Sequence, residues 1–368
     1  MKKILFSILL LLGVFLSGCN AEKNNPSDIQ EKITVYTTVF PLEDFTKKIG
    51  GDYVQVNTVY PPGSDEHTFE PSQKDVIKMA QSNLFLYIGH NLEGFVEQSK
   101  DILEKEQVKT VAVGESIKIE NLHHEENASE EHKHDEDGHD NHSEEASEEH
   151  KHEEDSHDNH SEEASEEHKH EEDSHDNHEN EESNTEENHE EHEHSDVDPH
   201  LWLDPIYSIS MAETIKNELV KLKPEQKEYF EKNYAELKNE LEELNLQFED
   251  TIKSAKTNKV IVSHAAYGYW ENRYGLEQIS ISGLSSTSEP SQKQLKEIIE
   301  IAKENNIHYV LFEQNINSKL ADIVQKEIGA KPLTLHNLSV LTEKDIKNKQ
   351  DYLTLMKQNL ETLKQALN

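Results

Sequence analysis

The chain has 368 residues and a formal net charge of −40, from 76 acidic against 36 basic side chains. An acidic excess of this size excludes a nucleic-acid binder that works by neutralising phosphates. A single cysteine excludes both a disulfide framework and a thiolate metal cluster.

Lys2 and Lys3 precede an almost wholly apolar run from Ile4 to Leu16, which closes on Leu16-Ser17-Gly18-Cys19. The run is too short for a membrane span and has the build of an export signal over residues 1–18. Its ending resembles the lipobox, in which the cysteine is acylated and becomes the new N-terminus. Cys19 is therefore expected to tether the chain to the outside of a bacterial cell membrane, two acyl chains being enough for stable anchoring. Residues 19–32 read as a flexible stalk.

From residue 33 the pattern alternates between strand and helix. Ile33–Phe40, Val54–Tyr60, Asn83–Ile88 and Lys109–Val113 are β-branched or aromatic runs, separated by helical stretches over Leu42–Ile49, Asp75–Ser82 and Leu92–Glu106. Alternation of this kind predicts a parallel sheet with helices on both faces, in an N-terminal lobe over 33–222.

Residues 123–194 interrupt that lobe. They hold 17 of the 23 histidines and 32 acidic residues but only three lysines, and Glu-Glu-His-Lys-His recurs at 130–134, 148–152 and 166–170. A segment with almost no branched aliphatic or aromatic side chain cannot bury enough surface to offset ordering, so a disordered insert is expected. Imidazoles interleaved with carboxylates form a loose net of metal ligands. The insert is expected to gather metal ions and pass them to the adjoining loop at His200. The charge belongs mostly to this insert, which leaves 33 basic and 44 acidic residues elsewhere.

A helix over Pro205–Leu222 is followed by a run without glycine or internal proline, with Leu237, Leu241, Leu244 and Phe248 at spacings of three and four. It predicts a rigid linking helix over 223–256. Strand and helix patterns then resume in a C-terminal lobe over 257–368, ending in a helix over Lys344–Leu367. The expected architecture is α/β, with two parallel-sheet lobes joined by one long rigid helix.

Six histidines lie outside the insert: His67, His90, His200, His264, His308 and His336. His67 sits in Pro61-Pro-Gly-Ser-Asp-Glu-His-Thr-Phe-Glu-Pro71, beyond the second strand. His200 sits in Asp198-Pro-His-Leu-Trp-Leu-Asp-Pro205, and His264 ends the strand Val260-Ile-Val-Ser-His264. Loops at the carboxyl ends of parallel strands converge on one crevice. His67, His200 and His264 are thereby candidates to close three nitrogens around one ion between the lobes. His90 reads as a hydrogen-bonding residue near the cleft and His308 as an exposed one. Asp65, Asp198, Asp204 and Glu313 are candidates to hold the rings from outside, and Trp202, Tyr267, Tyr269 and Trp270 to pack around them.

Those three motifs, in that order, resemble the metal-site motifs of the zinc-type solute-binding lipoproteins of bacterial ABC importers, the ZnuA/AdcA-like members of the metal-receptor class. The resemblance runs from about Ile33 to the C-terminus. It implies a high-affinity Zn²⁺ receptor, not an enzyme, that acts as a monomer and delivers its ion to an ABC permease. It also implies His67, His200 and His264 as ligands. Relatives offer a carboxylate in the loop that is here Leu335-His-Asn-Leu-Ser-Val-Leu341, where Ser339 takes its place. The fourth position therefore falls to water or to Glu66. Three imidazoles with one oxygen suit Zn²⁺, while Cu²⁺ and Ni²⁺ would bind them as well by intrinsic order. Two other functions fit the same residues: a zinc hydrolase with Glu66 as base, and a metal buffer in which the insert does the binding.

Overall fold

The computed structural model describes residues 31–119, 197–314 and 318–368. The expectations for the export signal, for Cys19 and for the insert at 123–194 lie outside these residues.

In the first lobe, β1 (Ile33–Thr37) buries Ile33, Val35 and Thr37 on one face. Pro41 ends the strand by opening a helix: α1 (Phe40–Gly50) carries the proline in its first turn, where the missing N–H costs nothing. β2 (Val54–Thr58), α2 (Gln73–Met79), β3 (Leu84–Tyr87), α3 (Phe95–Lys105) and β4 (Lys109–Ala112) follow. Every pairing is parallel, in the order β2-β1-β3-β4.

Beyond residue 197 a short 3-10 turn, Leu201–Leu203, runs into Asp204. The Asp204 carboxylate accepts the N–H groups of Ile206 and Tyr207 and so caps α4 (Pro205–Leu222). The long helix α5 spans Lys227–Lys253, 27 residues, or about 40 Å at 1.5 Å per residue. It is shorter than the continuous run expected over 223–256. Lys223 leaves helical geometry (φ −142°, ψ 72°), as a residue before proline tends to, and Pro224–Gln226 forms a separate turn.

The second lobe repeats the first. β5 (Lys259–His264), α6 (Gly268–Tyr274), β6 (Glu277–Ser282), α7 (Gln292–Glu304), β7 (Tyr309–Phe312), α8 (Lys319–Ile328) and β8 (Lys331–Thr334) give a parallel sheet in the order β6-β5-β7-β8. The single terminal helix expected over Lys344–Leu367 is two helices, α9 (Glu343–Lys347) and α10 (Tyr352–Ala366). Lys349 turns left-handed at φ 52°, and Asp351 restarts the helix by accepting the Thr354 N–H at 2.9 Å.

The stripe of α5, Phe230, Leu237, Leu241, Leu244, Phe248 and Ile252, is buried. It packs on α1 and α4 from the first lobe and on α6 and α10 from the second. One apolar cluster therefore runs through both lobes, and a smaller one lies under α7 and α8 around Ile261, Val310 and Val324. Among the described residues no helix is long and apolar enough to cross a membrane. Leu241 is wholly buried in the shared cluster, so Leu241→Ala should cost about 2–5 kcal/mol of stability through lost burial and the cavity left behind. Chemical denaturation of the two chains measures the difference.

Candidate metal centre

The site forms where strand order reverses in the second sheet. β5 and β7 are neighbours there, and the crevice outside their carboxyl ends is the place where such sheets bind ligands. His264 is the last residue of β5, and Glu313 directly follows β7. From the first lobe, His67 arrives on the loop between β2 and α2, and His200 on the residue before the 3-10 turn.

The structure brings His67, His200 and His264 together. One ring nitrogen from each lies within 4.8 Å of the others, and the ring centroids are 5.1–5.8 Å apart. Nε2 of His200 is 3.2 Å from Nε2 of His264. A tetrahedral ion with metal–nitrogen bonds of about 2.0–2.1 Å would set its ligand nitrogens about 3.3 Å apart, so this pair is already spaced to share a cation. His67 Nε2 is buried and has no hydrogen-bond partner among the described residues. A buried donor or acceptor left without a partner is costly, and a cation shared by the three rings removes that cost.

The outer nitrogens of two rings are tied. Asp198 Oδ1 is 2.7 Å from His200 Nδ1 and also accepts the His200 backbone N–H at 2.9 Å. Glu313 Oε1 takes Nδ1 of His264 in a short bond, with both side chains buried. Each bond puts the proton on Nδ1 and turns the Nε2 lone pair toward the centre, the arrangement that metal-binding histidines adopt. Asp65 acts differently. It accepts the backbone N–H of His67 at 2.9 Å on one oxygen and the hydroxyl of Ser286, from the second lobe, at 2.7 Å on the other. Asp204 is committed to capping α4 and to Arg273.

These surroundings push the imidazoles in opposite directions. Burial, reinforced by the two neighbouring rings, lowers His67 to about 3. Burial would lower His264 too, but the Glu313 carboxylate outweighs it and holds that ring above its ordinary value. With Nδ1 bonded to Glu313, a second proton on His264 would have to sit on Nε2, facing Nε2 of His200. A cation entering the site takes that proton's place.

Glu66 is buried but is not among the ligand atoms brought together. Its Oε1 accepts an amide proton of Asn337 at 3.0 Å, and the same amide donates to Glu313 Oε2 at 2.7 Å. Burial and the nearby Glu313 charge push Glu66 up to about 7. Ser339, in the loop after β8 where the fourth ligand was sought, donates to Asn337 Oδ1 at 2.9 Å. His336 is held within its own loop, accepting Leu338 N–H on Nδ1 and facing Asp345 through Nε2.

Asn337 and Gln314 are the residues that sequence reasoning missed, since an asparagine in a loop carries no motif. Of the aromatic residues, Trp202 lies 5.2 Å from the His200 ring, centroid to centroid, and Tyr269 donates to the Asp198 carbonyl. Tyr267 and Trp270 donate to main-chain carbonyls of Leu335 and Leu203. On its open side the cluster borders a cavity of about 400 Å³ lined by His67, His90, Asn91, Pro199, Leu284 and Ser288, among others. His90 holds a left-handed backbone there (φ 51°), and its Nε2 has no partner among the described residues. His308 is exposed.

Residues 35–366 match the ZnuA family, described as zinc-uptake complex component A, periplasmic. The chain is 32% identical over 367 residues to the zinc-binding lipoprotein AdcA of Streptococcus pneumoniae, covering all of this chain and 61% of that one. It thus spans about three fifths of the length of that relative. It is 31% identical to the high-affinity zinc uptake system protein ZnuA of Bacillus subtilis, across 97% of this chain and 94% of that one. The fold is similar to the Zn(II)-bound ZnuA-like domain of Streptococcus pneumoniae AdcA, with a TM-score of 0.63, 29% identity and coverage of 91% and 99%.

Replacing Glu313 by glutamine should weaken cation binding by about 10–100-fold, the usual effect of losing an outer-shell partner. In the parent, affinity should fall as pH drops through the raised value of His264, by about tenfold per unit for one competing proton, while His67 stays neutral. The Glu313→Gln chain loses the group that raises His264, so its acid limb should move to lower pH. Competition against a fluorescent chelator across pH reads both effects.

Proposed function

The chain belongs to the ZnuA family, and from that premise we propose that it is an extracytoplasmic zinc receptor that delivers Zn²⁺ to an ABC permease. The observation that carries this reading is the facing pair of His200 and His264 nitrogens, 3.2 Å apart, with His67 completing the triad. Their ligand roles belong to the same proposal. Three neutral imidazoles with an open fourth position suit Zn²⁺, whereas Mn²⁺ favours more oxygen ligands. Burial of His200 and His264, with His67 half-buried beside the cavity, suits a receptor, which must hold its cargo until hand-over.

Tethering through an acylated Cys19, supported by the Leu-Ser-Gly-Cys sequence and by relatives named as lipoproteins, would keep the receptor beside its permease. The receptor acts as a monomer. Catalysis is no part of the proposal. A hydrolase would need a base facing open space next to the ion, but the described lining of the adjoining cavity holds no carboxylate, and Glu66 is bonded to Asn337 instead. The insert at 123–194 gathers Zn²⁺ for the His200 loop when the ion is scarce.

Zinc titration in the presence of a weak chelator tests the reading. One equivalent should remain tightly held by the full chain and by a chain lacking 123–194, and His264→Ala should abolish it in both. Loss of all tight binding on deleting the insert would instead mark the protein as a metal buffer.

A further inference from the structure

The loop after β3 holds the chain in a shape that ordinary turns avoid. Gly89, His90 and Asn91 have φ of 86°, 51° and 61° in succession, whereas left-handed residues normally occur singly. Glycine, asparagine and histidine tolerate this region better than most, but three in a row need support from outside the loop. Glu93 supplies it. Its buried carboxylate accepts the Thr38 hydroxyl at 2.7 Å and the Ile88 N–H at 2.8 Å on Oε1, and the Gly89 N–H at 3.0 Å on Oε2. The Gly89 carbonyl in turn accepts the Leu92 N–H at 3.1 Å.

A buried acid thus fixes a costly backbone, and what that backbone presents is an imidazole. The hydrogen bond expected of His90 is missing: its Nε2 is buried and has no partner among the described residues. The rings of His200, His264 and His336 are each tied to an acid. His67 and His90 are the half-buried rings whose Nε2 atoms stay uncommitted. Both line the cavity of about 400 Å³ on the open side of the triad, which has room for an ion with its waters at about 30 Å³ each. The loop stands at the carboxyl end of β3, beside β1, where strand order reverses in the first sheet. It is the first-lobe counterpart of the loop after β7, and such positions are where these sheets take ligands.

We propose that His90 is an entry ligand for the divalent cation, taking the ion in the cavity and passing it to His67. It is not one of the nitrogens that close on the loaded ion, and it lies outside the cluster formed by His67, His200 and His264. The proposal rests on the zinc-receptor reading of that triad. An incoming ion must exchange water for nitrogen one ligand at a time, and imidazole is a donor that suits it. A ring met before the triad lets that exchange begin early. A group that binds on the way and is absent at the end lowers a barrier that the ion crosses in both directions. It therefore sets the rates of entry and release and leaves the affinity unchanged.

The test uses the full chain and Co²⁺, whose intense four-coordinate bands report arrival at the triad. Their growth after mixing gives the entry rate, their decay into excess chelator the release rate, and competition the affinity. His90→Asn suits the left-handed backbone and removes the imidazole. It should slow entry and release by one common factor, about tenfold, at unchanged affinity. His90→Asp has the same shape as the asparagine but keeps an ion-binding oxygen, and it should recover part of both rates.

Parent rates in His90→Asn would overturn the proposal. So would weaker affinity with faster release, because His90 would then support the loaded site. A His90→Asp chain as slow as His90→Asn would overturn it too, since the bulk of the ring and not its ligation would be at work. A parent chain that forms no such bands, or forms them despite His264→Ala, would overturn the receptor reading itself and this proposal with it.

Discussion

Three imidazoles can share a buried cleft with a cation only if their protons are kept out of the middle, and Asp198 and Glu313 meet that constraint. A protonated ring facing a second protonated ring across 3.2 Å would be strongly repelled in a medium of low dielectric. Asp198 and Glu313 solve the problem from behind, each drawing a proton onto Nδ1 and leaving Nε2 as a lone pair. Two buried acids then need partners of their own. Glu313 finds Ser263 and Asn337, while Asp198 takes backbone and ring of the same histidine. Charge-assisted bonds of this sort contribute roughly 1.5–3 kcal/mol each, and an acid left alone at such a depth would cost more than that. The site is thus a layered structure in which each shell holds the one inside it.

That layering explains why the two lobes are bonded so closely around the crevice. Trp202, on the first-lobe side, donates its indole N–H to Asn337, while its carbonyl accepts from Tyr352 and Ser208. Trp270 reaches Leu203, and the backbone of Phe40 reaches Ser339. Helix α5 runs behind all of them with its stripe in a core common to both lobes. The long helix and the tight cleft serve one requirement. Imidazoles contributed by distant parts of the chain must meet with an accuracy of tenths of an ångström, and a loose hinge would not deliver that.

Much of this was legible beforehand. Strand runs such as Ile33–Thr37 and Lys259–His264 carry β-branched residues at buried positions, so two sheets could be read directly. The three histidines announced themselves by lying at strand ends and in loops that parallel sheets bring together. The outer partners were harder. Asp65, Asp198, Asp204 and Glu313 look alike as letters, and only the fold separates the two that bond a ring from the one that supports a backbone and the one that caps a helix. Asn337 was invisible because its importance comes from an amide with acids on one side and a hydroxyl and a glutamine on the other, all supplied by tertiary structure. The break between α9 and α10 has no sequence signal either, since nothing in Lys347–Asp351 is a glycine or a proline. A left-handed lysine and an aspartate cap did the breaking.

Asp65 gives the site a direction. One of its oxygens steadies the peptide of His67 and the other grips Ser286 across the cleft. His67 is also the one ring of the three that is only partly buried, and it borders the open cavity. The loop that carries the half-buried ring is thus held from the opposite lobe, whereas His200 and His264 are each braced by an acid of their own lobe. A change at Ser286 would loosen the one ring on the open side and leave the facing pair of nitrogens braced.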